Sequence, residues 1–575
     1  MGGGAERTGR GAPWAIAAAL AGAVLVVFGR AATFDFLNLD DDVYVTANPW
    51  VRGGLTPGSV RWAFTAFHSG HWHPLTWLSL MLDVELFGVR PGPMHAVNVL
   101  LHALATALLF AVLRAATGAT GRSAAVAALF GLHPLRLESV AWVTERKDVL
   151  SALFWILAMG AYVRYARRPR LGRYAAVVAV LGLGLLAKPM LVTLPVVLLL
   201  LDVWPLGRVR GSAPAVPHRF ATASLPALVV EKLPLLALAA AMSVVAAAAQ
   251  RAAGATVSLE GLPVPARLAN ASWAYVVYLR KTLWPLDLAI FYPLAPVPPA
   301  RAVLAAAALG AATLAALRCG RRAPYVAVGW LWWLVALLPV IGLVQIGGQA
   351  YADRFTYLPH VGLFLLAVWG AADLAAARGV APHLRAAAAG GVVAVLAAAT
   401  LAQIGHWRDS VTVFRRALAV TTGNYLAHNN LGVARAERGH AAAAARHYAE
   451  AVRLNPTWPE ARNNLGNAFA ARGAYARARA EFEAALAVRP DFPVALNNLA
   501  TAYAYEGDFA RAIPPYERAV ALDPGYFDAR FALADALERT GRRAEAAAHY
   551  RVLLAARPGW TEGARRLARL DAIKD

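Results

Sequence analysis

The chain has 575 residues, of which 59% are hydrophobic and only 16% charged, with a mean hydropathy of +0.48; it is too apolar for a set of soluble domains and reads as a multi-span membrane protein. Its net charge of +22 sits mostly on arginines in short clusters between apolar runs, which is how membrane topology is written, so nucleic acid is not an expected partner. The single cysteine, Cys319, excludes an intramolecular disulfide framework and any multi-cysteine metal site.

In chain order, Arg7 and Arg10 precede an apolar run at 14–32. So many apolar runs follow that this one is expected to remain as an uncleaved first helix. Directly after it stands Phe34-Asp35-Phe36-Leu37-Asn38-Leu39-Asp40-Asp41-Asp42-Val43-Tyr44. Charge carried into hydrocarbon costs at least roughly 2.5–3.5 kcal/mol, so a run of acids at a bilayer edge points to a functional site. The competing reading is a helix cap, for which one acid would suffice. Trp50, Trp62, Trp72 and Trp77 follow in a segment expected to lie on the membrane surface.

Further apolar segments fall near 95–114, 122–135, 148–166, 172–187, 189–205, 230–250, 302–317, 324–345, 357–376 and 386–405, giving about eleven transmembrane helices in all. With the N-terminus inside, the inner connections hold 17 Lys and Arg in 61 positions and the outer ones 13 in 140. That bias sets the orientation, and an odd number of spans puts residue 407 onward outside. The aromatic and charged stretch Leu268–Leu288 is expected to lie in the outer interface. Most acids before residue 407 then share the outer face, Glu138, Glu260 and Asp353 among them. Composition therefore divides the chain into a polytopic part, 1–406, and a charge-richer part, 407–575.

The second part is a repeat. Leu431-Gly432, Leu465-Gly466, Leu499-Ala500 and Leu533-Ala534 recur every 34 residues, as do Gly439, Gly473, Gly507 and Gly541. This resembles the tetratricopeptide repeat, a helical hairpin that stacks into an α-solenoid. Four repeats are expected over about 423–560, behind a partial leading repeat at 408–421, so the whole fold is all-α. Stacked repeats present a concave surface to extended peptides. Asn430, Asn464 and Asn498 recur at one repeat position and are candidate peptide-backbone contacts; a merely solvated face is the alternative.

Three stretches carry a wider resemblance: His71-Trp72-His73-Pro74-Leu75-Thr76-Trp77, the run from His133-Pro134 through Glu138 and Glu145-Arg146-Lys147-Asp148, and Tyr351-Ala352-Asp353-Arg354-Phe355-Thr356-Tyr357. With Asp40-Asp41-Asp42 and Asn48-Pro49 they resemble the transmembrane and tetratricopeptide-containing glycosyltransferases, whose animal members are protein O-mannosyltransferases. The resemblance implies a polytopic GT-C fold, a polyprenyl-phosphate sugar as donor and an essential acidic pair in the first outer loop. Anchored on Asn48, that pair falls on Asp40 and Asp41.

The chemistry fits these residues. Sugar transfer to a hydroxyl needs a carboxylate to take the acceptor proton, for which Asp41 is expected to serve as base and Asp40 as its positioner or the acceptor contact. The departing phosphate needs cations, for which Arg146, Lys147, Lys188 and Arg354 are the outer candidates, a self-paired charge cluster being the alternative for Arg146 and Lys147. His71, His73, Glu138 and Asp353 are expected to contact acceptor or donor. No cofactor and no metal ligand set is assigned, a divalent ion being left open.

The sequence thus leads to a multi-pass inner-membrane enzyme of bacterial type. It would move a sugar, mannose by resemblance, from a lipid-linked donor to Ser or Thr hydroxyls of a polypeptide presented by extracytoplasmic repeats. A same-fold enzyme acting on a lipid or surface glycan and a non-enzymatic membrane scaffold are the alternatives.

Overall fold

The computed structural model describes residues 12–211, 215, 219–254, 258 and 261–572; Arg7, Arg10 and Glu260 lie outside them. The chain forms two compact units, Met1–Thr421 and Thr422–Asp575. The first therefore runs past the expected limit at 406. The helix Ser410–Val420, expected as a partial repeat, is tied into the first unit: Asp35 donates to the Arg408 carbonyl at 3.0 Å, Asn38 N–H to the Ser410 hydroxyl at 3.0 Å, and Arg416 Nε to the Leu288 carbonyl at 3.4 Å.

The first unit is a helical bundle. Among the described residues, seven of its helices are long and apolar enough to cross a membrane: Pro13–Thr33, Pro91–Thr117, Val143–Arg167, Leu225–Ala252, Pro299–Gly320, His360–Ala377 and Pro382–Trp407. The other four of the eleven expected spans are shorter. Thr120–Leu132 has 13 residues and Pro324–Leu337 has 14. Leu171–Ala187 stops at Lys188, where Pro189 cannot supply the next helical N–H, and the chain restarts over Pro189–Val203. Most of Leu268–Leu288, expected to lie in the interface, falls in a 20-residue helix, Val264–Leu283, packed on Pro299–Gly320.

Between the first two long helices, residues 34–90 form a small packed layer. Its helices begin where the sequence dictates, at Asn48-Pro49, Thr56-Pro57 and His73-Pro74, with proline in the first turn. Asn48 accepts from the backbone of Trp50 and Val51, and Thr56 and Ser59 cap each other reciprocally. The layer is not merely surface-lying: Trp77 is its fully buried centre, with Tyr44, Val45, Val51, Leu80 and Met81. Trp50, stacked on Trp62 with ring centres 6.1 Å apart, remains exposed.

Across the same end of the bundle, a two-stranded ribbon pairs Tyr292–Pro293 with Gln349–Tyr351. It fixes the short turn Asp353–Thr356, which carries the Asp-Arg pair.

The second unit is four helical hairpins and a last helix, Thr561–Ala572. Gly439, Gly473, Gly507 and Gly541 turn each hairpin at φ between +72° and +82°, backbone that L side chains disfavour. Gly432 and Gly466 serve close packing instead: a Cβ there would lie 2.6 and 2.5 Å from the rings of Tyr448 and Phe482.

Candidate functional site

The acidic run does not form one cap. Its three consecutive aspartates, Asp40, Asp41 and Asp42, have three environments, set by how residues 37–46 fold back on Trp142-Val143-Thr144. Asp41 is fully buried. One of its oxygens accepts the backbone N–H of Leu37 at 2.9 Å; the other accepts both the N–H (2.9 Å) and the hydroxyl (2.5 Å) of Thr144. Trp142 Nε1 donates to the Leu39 carbonyl at 3.2 Å, closing the same seam. Burial raises the Asp41 pKa to about 7, against the pull of those three donors. Asp42 is exposed, and its side chain accepts its own neighbour's N–H.

Asp40 is different. It stands at φ +63°, left-handed backbone that costs a non-glycine residue of order 1–3 kcal/mol. Its carbonyl accepts from Tyr44 N–H at 2.7 Å, which opens the turn Asp42–Thr46. The side chain is open to solvent although protein surrounds it closely, so it lines a recess rather than a surface. That crowding raises its pKa, and Lys147 and Arg354 oppose the rise. Beside it, Tyr44 packs on His73 and Trp77, with ring centres 5.5 and 4.6 Å away. The Tyr44 hydroxyl and His73 Nε2 are both buried with no hydrogen-bond partner among the described residues. Leaving such groups unmet costs about 1–3 kcal/mol each, so both are candidates to hydrogen-bond a polar ligand.

Cations face this recess from three elements. Glu145, at the head of the helix Arg146–Arg167, is met by Lys147 at 3.1 Å, by Lys188 at 3.5 Å and by Arg354 Nε at 3.3 Å. Lys188 also pairs with Asp148, and Arg354 with Glu138, to which its backbone N–H donates as well, at 2.7 Å. The Lys147 ammonium lies 4.9 Å from the Tyr44 ring centre. Arg354 stays firmly charged because Glu138 and Glu145 outweigh its burial. A narrow cleft lined by Asp148, Lys188, Met190, Arg354 and Tyr357 opens among these groups.

Lys147, Lys188, Arg354, Glu138 and Asp40 are thus brought together, with both histidines close by. His71 and His73 stack at 5.3 Å. Burial, helped by Lys147 and Lys188, lowers the His71 pKa to about 3 and that of His73 well below its ordinary value. They are neutral imidazoles that can accept or donate a hydrogen bond but carry no proton to give near neutral pH.

Arg146 is a correction. It faces away from the recess and is fully buried: Nη2 pairs with Asp83 at 2.6 Å and donates to the Met94 carbonyl at 2.9 Å, Nη1 donates to Ser79 at 2.9 Å, and Nε to Asn98. One residue on a helix turns the side chain by about 100°, enough to send Lys147 to the site and Arg146 into the packing. Asp353 is buried and held by the Tyr292 hydroxyl (2.6 Å) and Lys281 (3.5 Å), so it props the Arg354 turn from behind.

Tyr44, Glu145, Asp148, Lys281 and Tyr292 were not singled out by sequence. Glu145 and Asp148 flank Arg146 and Lys147 in one charged run, but only helical phase says which charges meet. Among the described residues, no group of three His, Cys, Asp or Glu is arranged to hold a metal ion.

In the second unit the asparagines bond one another from repeat to repeat: Asn464 Nδ2 donates to Asn429 at 2.9 Å and Asn498 Nδ2 to Asn463 at 2.9 Å. Asn429, Asn430 and Asn463 are buried. The asparagines form a ladder, part of whose hydrogen-bonding capacity links adjacent repeats.

A family model described as dolichyl-phosphate-mannose-protein mannosyltransferase matches residues 74–231, and a tetratricopeptide repeat model matches 395–459, 434–493 and 497–559. The mouse protein O-mannosyl-transferase TMTC1 is 36% identical over 167 residues, covering 26% of this chain and 17% of that protein. Human TMTC4, of the same description, is 26% identical over 486 residues, covering 74% of this chain and 64% of that one. The chain thus spans less than two thirds of the length of either. Among solved structures, the tetratricopeptide protein YrrB is 21% identical over 28% of this chain and 84% of its own, with a TM-score of 0.27.

Proposed function

We propose that this TMTC-like relative of the protein O-mannosyltransferases is a membrane glycosyltransferase that moves a sugar, mannose by analogy, from a polyprenyl-phosphate donor to Ser or Thr hydroxyls of a polypeptide. The observation that carries this reading is the recess itself. A strained carboxylate, Asp40, stands near Lys147 and Arg354, which converge with Lys188 on Glu145; close by, Tyr44 Oη and His73 Nε2 have no hydrogen-bond partner among the described residues.

In this reading Asp40 takes the proton of the acceptor hydroxyl as it attacks the sugar. Asp41, whose oxygens already hold Leu37 and Thr144, fixes the loop that aims it, reversing the roles expected from sequence alone. Lys147, Lys188 and Arg354 steady the phosphate that leaves with its lipid, the guanidinium by its fork and the ammonium groups as point charges. Glu145, Asp148 and Glu138 hold the three cations together. Neutral His71 and His73 and the Tyr44 hydroxyl bind sugar or acceptor hydroxyls. The repeats present the acceptor on the extracytoplasmic side of the membrane.

Single-turnover transfer from a polyprenyl-phosphate mannose to a Ser/Thr peptide, measured with purified full-length protein, tests the proposal. Transfer that is lost in Asp40→Asn at unchanged folding is expected. Equal rates in parent and variant, or donor turnover with no peptide product, would overturn it.

A further inference from the structure

Away from the recess, the first unit carries a cavity of about 600 Å³ between the helices Thr120–Leu132, His360–Ala377 and Pro382–Ile404. Its walls are almost wholly apolar. Small side chains such as Ala125, Ala371 and Ala389 keep the three helices from closing over it. The exceptions are two guanidiniums at one end, Arg122 and Arg385.

Its depth is informative. On the first helix the lining runs from Gly121 to Leu129, and on the last from Pro382 to Val393, spans of roughly 12 and 16 Å at 1.5 Å per residue. Half of a hydrocarbon core of about 30 Å is roughly 15 Å. The cavity is therefore one leaflet deep, and both arginines stand at the end that the arginine count assigns to the cytoplasm.

The charge at that end is not cancelled. One oxygen of Asp373 accepts from Arg122 Nη2 at 2.7 Å while the other accepts from the Tyr325 hydroxyl at 2.8 Å, and Arg122 also lies over the Trp369 ring at 5.9 Å. Arg385 Nε is buried with no hydrogen-bond partner among the described residues. Two guanidiniums against one carboxylate leave a net positive mouth above an apolar trough. Basic pockets between membrane helices on the cytoplasmic side hold anionic head groups.

We infer that this cavity is a binding site for an anionic glycerophospholipid of the inner leaflet, its phosphate on Arg385 and Arg122 and an acyl chain along the alanine-lined trough. The site is separate from the sugar-transfer recess and does not depend on its assignment. A polybasic contact near a membrane surface is worth about 1 kcal/mol per arginine, or about fivefold in affinity.

Native mass spectrometry of the full chain in detergent, titrated with phosphatidylglycerol, phosphatidylcholine or polyprenyl phosphate, tests this. Retention of phosphatidylglycerol at least fivefold tighter than phosphatidylcholine is expected. Arg385→Gln should erase most of that preference, and Ala371→Leu with Ala389→Leu, which fill the trough, should weaken both lipids alike. Because Arg385 makes no ion pair among the described residues, Arg385→Gln should melt at the parental temperature. Equal retention of the two phospholipids by the parent, an unchanged preference in Arg385→Gln, or tighter binding of polyprenyl phosphate than of phosphatidylglycerol would each overturn the inference.

Discussion

Thr144 donates its backbone N–H and its hydroxyl to one oxygen of Asp41, at 2.9 and 2.5 Å, across 103 residues of chain. Since Leu37 N–H occupies the other oxygen at 2.9 Å, a backbone donor that can only donate faces each side of this carboxylate. Asp41 is thereby committed to joining the acidic loop to the head of the Arg146–Arg167 helix, and the adjacent Asp40 is left near Lys147 and Arg354.

The two aspartates should therefore fail differently. Asp40→Asn keeps size and removes the proton acceptor, so single-turnover transfer should fall by about 10²–10⁴-fold while thermal unfolding stays near parental. Asp41→Asn turns one oxygen into an NH2 that must face a backbone N–H. It should destabilise the protein by about 1–3 kcal/mol, with rate lost in proportion to the misfolded fraction. A stable but inactive Asp41→Asn beside an active Asp40→Asn would restore the order expected from sequence.

Arg146 and Arg354 make a second contrast. Removing Arg146 leaves Asp83 buried and unpaired, which costs about 3–5 kcal/mol for a buried pair, whereas replacing both partners by apolar residues is often neutral. Arg146→Met should thus unfold readily and Arg146→Met with Asp83→Leu should recover, at parental donor KM. Arg354→Lys keeps charge but loses the fork that spans Glu138 and Glu145 and should raise donor KM and lower rate. Donor KM raised equally by the stable Arg146/Asp83 double variant would return Arg146 to the phosphate site.

Acid and base should pull activity and stability apart. Asp40 works only when ionised, and its raised pKa moves the acid limb of kcat/KM above the 3.8 of a free aspartate. For Asp41, the folded pKa of about 7 exceeds the unfolded value. Its stabilising contribution is full below about pH 4 and is lost as pH rises toward 7. Thermal unfolding of parent against Asp41→Asn, followed from pH 4 to 8, should show this slope in the parent alone.

Residue 420 should lie outside the cytoplasm, as the arginine count predicts. An alkaline phosphatase fusion after Val420 should be active in a bacterial host, and one between Arg164 and Arg173 inactive; the reverse pattern would invert the orientation.

Much of this was legible because it rests on period. Four glycines and four Leu-Gly or Leu-Ala pairs at 34-residue spacing name the repeat, and prolines after Asn48, Thr56 and His73 mark helix starts without any tertiary information. Helical phase and long-range pairing were not legible. Arg146 and Lys147 are equivalent as letters, and only the packing against Asn98 and Asp83 separates them. Glu145 joins cations 2, 43 and 209 residues away, which no local pattern records. The spans at 122–135 and 324–345 were overlong because apolar residues continue past the helix ends.

The asparagine ladder separates a peptide site from a structural seam. Asn464 reaches Asn429 and Asn498 reaches Asn463, each at 2.9 Å, so each of these amides spends one N–H on its neighbour and has a second N–H to offer a ligand. Changing Asn430, Asn464 and Asn498 together to Ala should weaken acceptor-peptide binding while leaving donor binding intact. It should also loosen repeat-to-repeat coupling, by about 1 kcal/mol for each of the two lost bonds. Urea unfolding read repeat by repeat by hydrogen exchange measures the second effect and peptide titration the first. Coupling lost with peptide affinity unchanged would make the ladder a seam alone; affinity lost by more than tenfold with the array still folded would make it the acceptor groove.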